Sequence, residues 1–286
     1  MRAVFSKLVA FWNGWVGTIV FVLLFIFFVA QAFVIPSGSM ERTLLTGDFL
    51  FVKKFSYGVT RPTIPWLEVP ILPDFDGDGH IIKGEGPKRG DIVVFRNPTN
   101  SQGDYYVKRT FGVGGDEIIF APKVMFLRAS EGDEFMRANF KSEKLVTLNG
   151  QLWVQEPYEM VGINYDASDF KDNFGGNFNF DTFGLAIRAY QQGQFAMTPV
   201  WVAEFGGERG YANAFYFKVP QDEYFMVGDN RENSNDSRFW GSVPYKLVVG
   251  QPWFTYLSLD KNYKIRWERM FRFIDTLQEA KYAAAK

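Results

Sequence analysis

The longest apolar run lies near the start of the chain: from Trp15 to Ile35 no charged residue occurs, while the segment ahead of it carries Arg2 and Lys7. At about 1.5 Å per residue a helix of that length matches the hydrocarbon thickness of a bilayer. The run therefore predicts one transmembrane helix over 11–35 behind a short cytoplasmic tail, 1–10. A cleaved signal peptide is the competing reading, because Ala30-Gln31-Ala32 is an A-x-A-like site after a basic start. Against it, the apolar run is long for that role and continues past the alanines through Phe33-Val34-Ile35. The basic start orients the N-terminus inward and the rest of the chain outward.

Beyond the anchor the pattern changes to short β-rich runs bounded by glycine. Asp48-Phe49-Leu50-Phe51-Val52 follows Gly47, and Asp91-Ile92-Val93-Val94-Phe95 follows Gly90. Tyr105-Tyr106-Val107 reads as a third strand and Glu117-Ile118-Ile119-Phe120, after Gly114-Gly115, as a fourth. No helical period competes over this span. From about 121 to 214 the chain turns polar, Gly-rich and Asn-rich, as in 172–180, yet its scattered aromatics argue against disorder. Strand patterns resume at Phe215-Tyr216-Phe217-Lys218-Val219 and Tyr224-Phe225-Met226-Val227. The expected fold is mainly β: an all-β domain over 36–120 and 215–275, an inserted β subdomain over 121–214, and a helical tail over 276–286. Arg266, Arg269 and Arg272 beside Trp267, Met270, Phe271 and Phe273 fit a solvated face over core contacts or a surface lying on lipid.

Composition narrows the chemistry. Lys+Arg 31 against Asp+Glu 32 leaves a net charge of −1, so no global field draws nucleic acid, and none is expected as a partner. The absence of cysteine excludes disulfides, thiolate catalysis and Cys-ligated metals. A Ser-His-Asp mechanism would have to use His80, the one histidine, which stands in an Asp/Gly loop that reads as solvated. Aromatics at 18% suit strands and membrane-interface contacts.

Pro36-Ser37-Gly38-Ser39-Met40 follows the apolar run and presents Ser39 as an exposed hydroxyl on a turn, a candidate nucleophile. Serine needs a base. His80, a carboxylate or a lysine are the candidates, and Lys108 stands at a strand end beside Arg109. Alternation points Tyr106 and Lys108 to one face, Val107 and Arg109 to the other. A lysine near its ordinary pKa of about 10.4 is almost never neutral at pH 7, but burial lowers that value by ~3 to 5 units.

These stretches occur in a telling order: Pro36 to Met40, Gly47-Asp48-Phe49, Lys88-Arg89-Gly90-Asp91-Ile92-Val93-Val94-Phe95, Tyr106-Val107-Lys108-Arg109, Gly115-Asp116, and Gly228-Asp229-Asn230-Arg231-Glu232-Asn233-Ser234-Asn235-Asp236-Ser237-Arg238-Phe239-Trp240-Gly241. Together they resemble the boxes of type I signal peptidases over the anchor, 35–116 and 215–252. The resemblance implies a membrane-anchored, mainly β serine endopeptidase with a Ser/Lys dyad, removing signal peptides on the outer face of a bacterial inner membrane. It makes Ser39 the nucleophile and Lys108 its base. The Ser37 hydroxyl and Ser39 N–H would form the oxyanion hole, and Ser234 would orient the amine. Asp236 and Arg238 would form a supporting ion pair near Arg109. Two positions depart from the pattern: Gly114 replaces a usual proline, and Glu232 replaces a usual aspartate.

The same resemblance places Ile35, Met40, Leu44, Tyr106 and Val107 around small-residue substrate pockets, with an extended peptide pairing near Phe33 to Ser37 and Tyr105 to Lys108. The expected partners are preprotein signal peptides, the lipid bilayer and a nearby secretion translocon; no cofactor or metal is expected. Asp74, Asp76, Asp78 and Glu85 have the spacing of a calcium loop with its flanking helices missing, which reads as a calcium clip or as an acidic Gly-rich turn. Alternative functions are a membrane Ser/Lys protease with another substrate, and an inactive anchored binding module.

Overall fold

The structure, a computed structural model, describes residues 10–63, 69–74, 76–99, 104–165, 181–208 and 210–279. The expected tail 1–10 falls almost wholly outside these residues, as do the Asn/Gly-rich stretch 172–180 and the end of the chain from 280.

The apolar run does not form one element. A helix spans Trp15–Phe28, and strand β1 (Ala30–Val34) follows at once. Alternating burial along Ala30-Gln31-Ala32-Phe33-Val34 suits a pleated edge, and each residue pairs with β2 (Asp48–Lys53), from Ala30 opposite Lys53 to Val34 opposite Phe49. The helix expected over 11–35 is thus cut at Phe28, because its last residues are taken by the sheet. Among the described residues no helix is long and apolar enough to cross a membrane.

The next strands are β3 (Gly58–Thr60), β4 (His80–Lys83), β5 (Ile92–Arg96) and β6 (Tyr105–Val113). Then come β7 (Glu117–Ala121), β8 (Val124–Arg128), β9 (Leu145–Leu148), β10 (Gln151–Gln155), β11 (Thr198–Val200) and β12 (Ala214–Lys218). The last are β13 (Glu223–Val227), β14 (Val243–Pro244), β15 (Val248–Ser258) and β16 (Arg272–Phe273). One sheet runs β1-β2-β15-β5-β6-β13-β14, with β16 added beside β15; a second runs β11-β12-β7-β8-β10-β9, and β3 and β4 form a separate two-stranded sheet. All of these pairings are antiparallel, and the protein is mainly β.

The inserted region is not purely β. Helices Asp133–Asn139 and Thr182–Gln191 flank its sheet, burying Met136 and Ala186. Capping chemistry explains the second: Asp181 accepts the Gly184 N–H at its N-terminus. At the other end of the chain the expected helix over 276–286 is a single turn, Ile274–Leu277, within the described residues.

Packing fixes the catalytic region in two ways. Leu50, Val52, Ile92 and Val94 form a core with Ile274 and Leu277 beneath the 36–44 segment. Phe111, Ile118, Phe120, Phe215 and Phe225 join the two sheets, so the insert shares a core with the strand that carries Lys108.

Candidate active site

After β1 the chain leaves the sheet through Pro36 and Ser37 and makes one 3-10 turn, Gly38–Met40, with Ser37 extended at its start (φ −136°, ψ 158°). Two bonds close this short turn. The Gly38 carbonyl accepts the Glu41 N–H at 3.0 Å, and the Met40 carbonyl accepts the Leu44 N–H at 2.8 Å. Met40 and Leu44 are buried, which leaves Ser39 half-exposed at the apex. Ser37 is exposed and its hydroxyl makes no capping bond.

Lys108 lies opposite Val93 in β6 and is 4% exposed. Its Nζ is hydrogen-bonded to Ser39 Oγ at 2.7 Å and donates to the Val107 carbonyl at 3.1 Å. The amine sits 5.3 Å from the centre of the Tyr106 ring, as same-face alternation requires. Burial drives its pKa down from 10.5 to about 8; Asp236 and Asp229 pull it upward, and Arg238 pushes it down again. Close to one such amine in ten is neutral at pH 7, roughly three hundredfold more than for an ordinary lysine.

Two ion pairs support this face. Asp236 and Arg238, both fully buried, pair at 2.8 and 2.9 Å, and Asp236 also accepts the Gly228 N–H at 3.0 Å. Arg109 pairs instead with Asp229, at 2.8 and 2.7 Å, and donates to the Gly90 carbonyl at 2.7 Å. Burial pushes the Asp229 carboxyl up, but Arg109, Arg231 and the Thr43 hydroxyl together hold it below the usual carboxylate range. In the sequence Asp229 reads as a turn residue; its place in Gly228-Asp229-Asn230, after the apolar run of β13, is the one signal that points to it.

The remaining expected residues divide. Ser234 is buried against Gly228 and makes no bond to Lys108, so the amine uses Ser39 Oγ and the Val107 carbonyl. Ile35, Met40 and Leu44 are buried in one cluster with Val107 packed on it. Tyr106 lies on the other face of β6, 6.1 Å from Phe95 and 6.5 Å from Trp240 between ring centres.

His80 is not the solvated residue the loop suggested. It is buried at the start of β4, stacked 4.3 Å from Tyr245, with Nδ1 2.9 Å from the Asp78 carbonyl. Burial lowers its pKa. Of the calcium-like loop, Asp74 accepts the Gly77 and Gly79 N–H groups, Asp78 accepts that of His80, and Glu85 faces Lys88 at 3.4 Å; Phe75 lies outside the described residues. Among the described residues no group of three His, Asp or Glu is placed to hold a metal ion.

An alcohol held against a buried, readily neutral amine, with the histidine engaged elsewhere, has the chemistry of a serine hydrolase whose base is a lysine. Comparison with known proteins agrees. A family model described as "Signal peptidase, peptidase S26" matches residues 9–257. The chain is 45% identical over 289 residues to a signal peptidase I of Helicobacter pylori strain 26695, covering 94% of each chain, and 44% identical to that of strain J99 over the same shares. A Haemophilus influenzae signal peptidase I is 31% identical, over 86% of this chain and 68% of its own. The chain belongs to the signal peptidase, peptidase S26, family and is a serine endopeptidase.

Proposed function

We propose that this endopeptidase removes N-terminal signal peptides from exported preproteins, with Ser39 as nucleophile and Lys108 as general base. The observation that carries the reading is the 2.7 Å contact between Ser39 Oγ and a buried Lys108 Nζ whose pKa is about 8. Nζ takes the hydroxyl proton as Oγ attacks the scissile carbonyl. The resulting ammonium returns that proton to the leaving amine, so the mature chain departs and the signal peptide stays as an ester on Ser39. Water, deprotonated by the same amine, then cleaves the ester. The Ser39 N–H and the exposed Ser37 hydroxyl are the donors for the developing oxyanion, each worth about 3 kcal/mol.

The substrate lies extended between β1 and the start of β6. β6 pairs with β5 from Tyr105 to Arg109 but with β13 only from Arg109 onward, and β1 is the edge of its sheet. Phe33 and Tyr105 meet across this gap at 5.0 Å. Ile35, Met40 and Leu44, with Phe33, Tyr105 and Val107 packed on them, form its apolar floor, which favours small substrate residues, while Tyr106 lies on the opposite face of β6. The charge-free run leading into β1 anchors the domain in the inner membrane of a bacterium, with the active site on the outer face and near the translocon. Tethering there raises the effective concentration of emerging cleavage sites. Incubating the purified protein with a precursor bearing an A-x-A site, wild type against Lys108→Ala, tests the reading; cleavage by the variant would overturn it.

A further inference from the structure

The inserted region returns to the catalytic domain at two points that grip one strip of backbone, residues 229–232. On one side the Asn164 N–H donates to the Asp229 carbonyl at 3.0 Å, and the Asn164 carbonyl accepts the Arg231 N–H at 2.9 Å. On the other, Glu232 Oε2 accepts both the N–H and the hydroxyl of Thr182, each at 2.9 Å. Thr182 opens a ten-residue helix, where a carboxylate also meets the positive end of the helix dipole. Thr182, Asn230, Arg231 and Glu232 are all buried, so water does not compete for these bonds.

The middle of the strip holds the serine turn. The Asn230 N–H donates to the Ser39 carbonyl at 3.1 Å, and Asn230 Nδ2 donates to the Gly38 carbonyl at 3.1 Å. Those two carbonyls fix the peptide planes on either side of the Ser39 Cα. The path from Thr182 to Ser39 therefore runs through Glu232, one peptide strip and Asn230, with a buried hydrogen bond at each junction.

We propose that Glu232 and Thr182 are positioning residues for Ser39, by which the insert holds the nucleophile in line with Lys108. The proposal rests on the reading of Ser39 as nucleophile. It also accounts for the length of the Glu232 side chain, since an aspartate, one methylene shorter, does not reach Thr182 without moving the strip.

The test uses the full chain in detergent, with active sites counted by a serine-directed acylating probe and turnover measured on a peptide with an A-x-A site. Glu232→Asp and Thr182→Ala are expected to lower kcat per titrated site roughly tenfold with KM unchanged, since small misplacements of a nucleophile cost rate rather than binding. Glu232→Gln keeps an oxygen for both bonds and is expected to retain most of the turnover. A fall in melting temperature with kcat per site unchanged would show a merely structural contact and overturn the proposal. So would Glu232→Gln losing as much as Glu232→Asp, which would make the charge the active ingredient. If Glu232→Asp does not fold, Thr182→Val decides, since it removes only the hydroxyl: wild-type kcat per site in that variant also overturns the proposal. Failure of the probe to label wild-type Ser39 would instead sink the underlying reading of the nucleophile.

Discussion

Asp229 grips Arg109 with both carboxylate oxygens, at 2.8 and 2.7 Å, and neither side chain touches water. The same carboxylate accepts the Thr43 hydroxyl at 2.6 Å, and the Asp229 N–H points at Met40 Sδ at 3.4 Å, so the pair is locked to the segment that carries Ser39. Removing one partner leaves a buried charge uncompensated. Asp229→Ala is expected to cost about 3 to 5 kcal/mol of stability. Denaturant unfolding checks this; a loss below about 1 kcal/mol would mean that water reaches Arg109. Because the native carboxyl titrates below its unfolded value, the unfolded chain binds more protons as pH falls through the range near 4. The contribution of Asp229 is therefore present above that range and is lost progressively below it.

The Lys108 amine makes two pH-dependent predictions with one origin. As a base it works only when neutral, so kcat/KM is expected to rise about tenfold per pH unit below about 8 and to level off above. Stability follows the same group. The unfolded lysine titrates near 10.5 and the folded one near 8, so between these values the unfolded state binds more protons and stability rises with pH. Lys108→Met, isosteric and uncharged, is expected to abolish turnover and to flatten this part of the stability curve. Retention of the slope in that variant would assign it to another group.

Gly228 is a position where one added methyl group would press on the nucleophile's own peptide. A Cβ built there would come within 2.2 Å of Ser234 Oγ and 2.5 Å of the Ser39 carbonyl oxygen. The Ser234 hydroxyl can rotate away, but Ser234 Cβ, at 2.6 Å, moves only with its own backbone, and the carbonyl only with the nucleophile's own peptide. Gly228→Ala is expected to lower kcat on the order of a hundredfold while the enzyme still folds. Turnover measured beside far-UV circular dichroism separates the two effects.

Many of the strands are legible because β-branched and aromatic runs between glycines have few other uses, and β2, β5 and β13 of the catalytic sheet and β7 of the second appear within a residue or two of their expected bounds. Tyr105-Tyr106-Val107 reads as a strand, but the strand runs on to Val113, since Lys108 and Arg109 look like a polar end until their buried partners are known. The cut in the apolar run at Phe28 has no local signal, because Ala30 to Val34 are nearly as apolar as the helix before them and only pairing with β2 separates them. Sequence alone sets Asp236 and Arg238 together as an ion pair near Arg109, and that pair forms; that Arg109 has its own partner in Asp229 is visible only in the fold. The helix at Thr182 follows a stretch whose composition signals loop, and its link to Glu232 depends on contacts 50 positions apart.

The end of the chain offers the clearest separation of stability from chemistry. Arg269 is fully buried, not part of a solvated basic face. It pairs with Asp48 at 2.6 and 3.1 Å and donates to the Thr43 carbonyl at 3.1 Å. Asp48 in turn accepts Ser258 Oγ at 2.7 Å and the Leu45 N–H at 2.8 Å, so the pair ties β2, β15 and the segment after Ser39 together. Arg269→Ala is expected to strand the carboxylate and cost about 3 to 5 kcal/mol, lowering Tm by roughly 10 °C. The pair with Asp48→Asn should recover part of that loss, because the surviving partner is then neutral. Truncation after Ile265 removes Arg269 together with Ile274 and Leu277 of the core, and is expected to lower Tm further than Arg269→Ala does. Thermal unfolding of the three variants ranks them, and a truncated enzyme as stable as wild type would show that this core closes without its last turn.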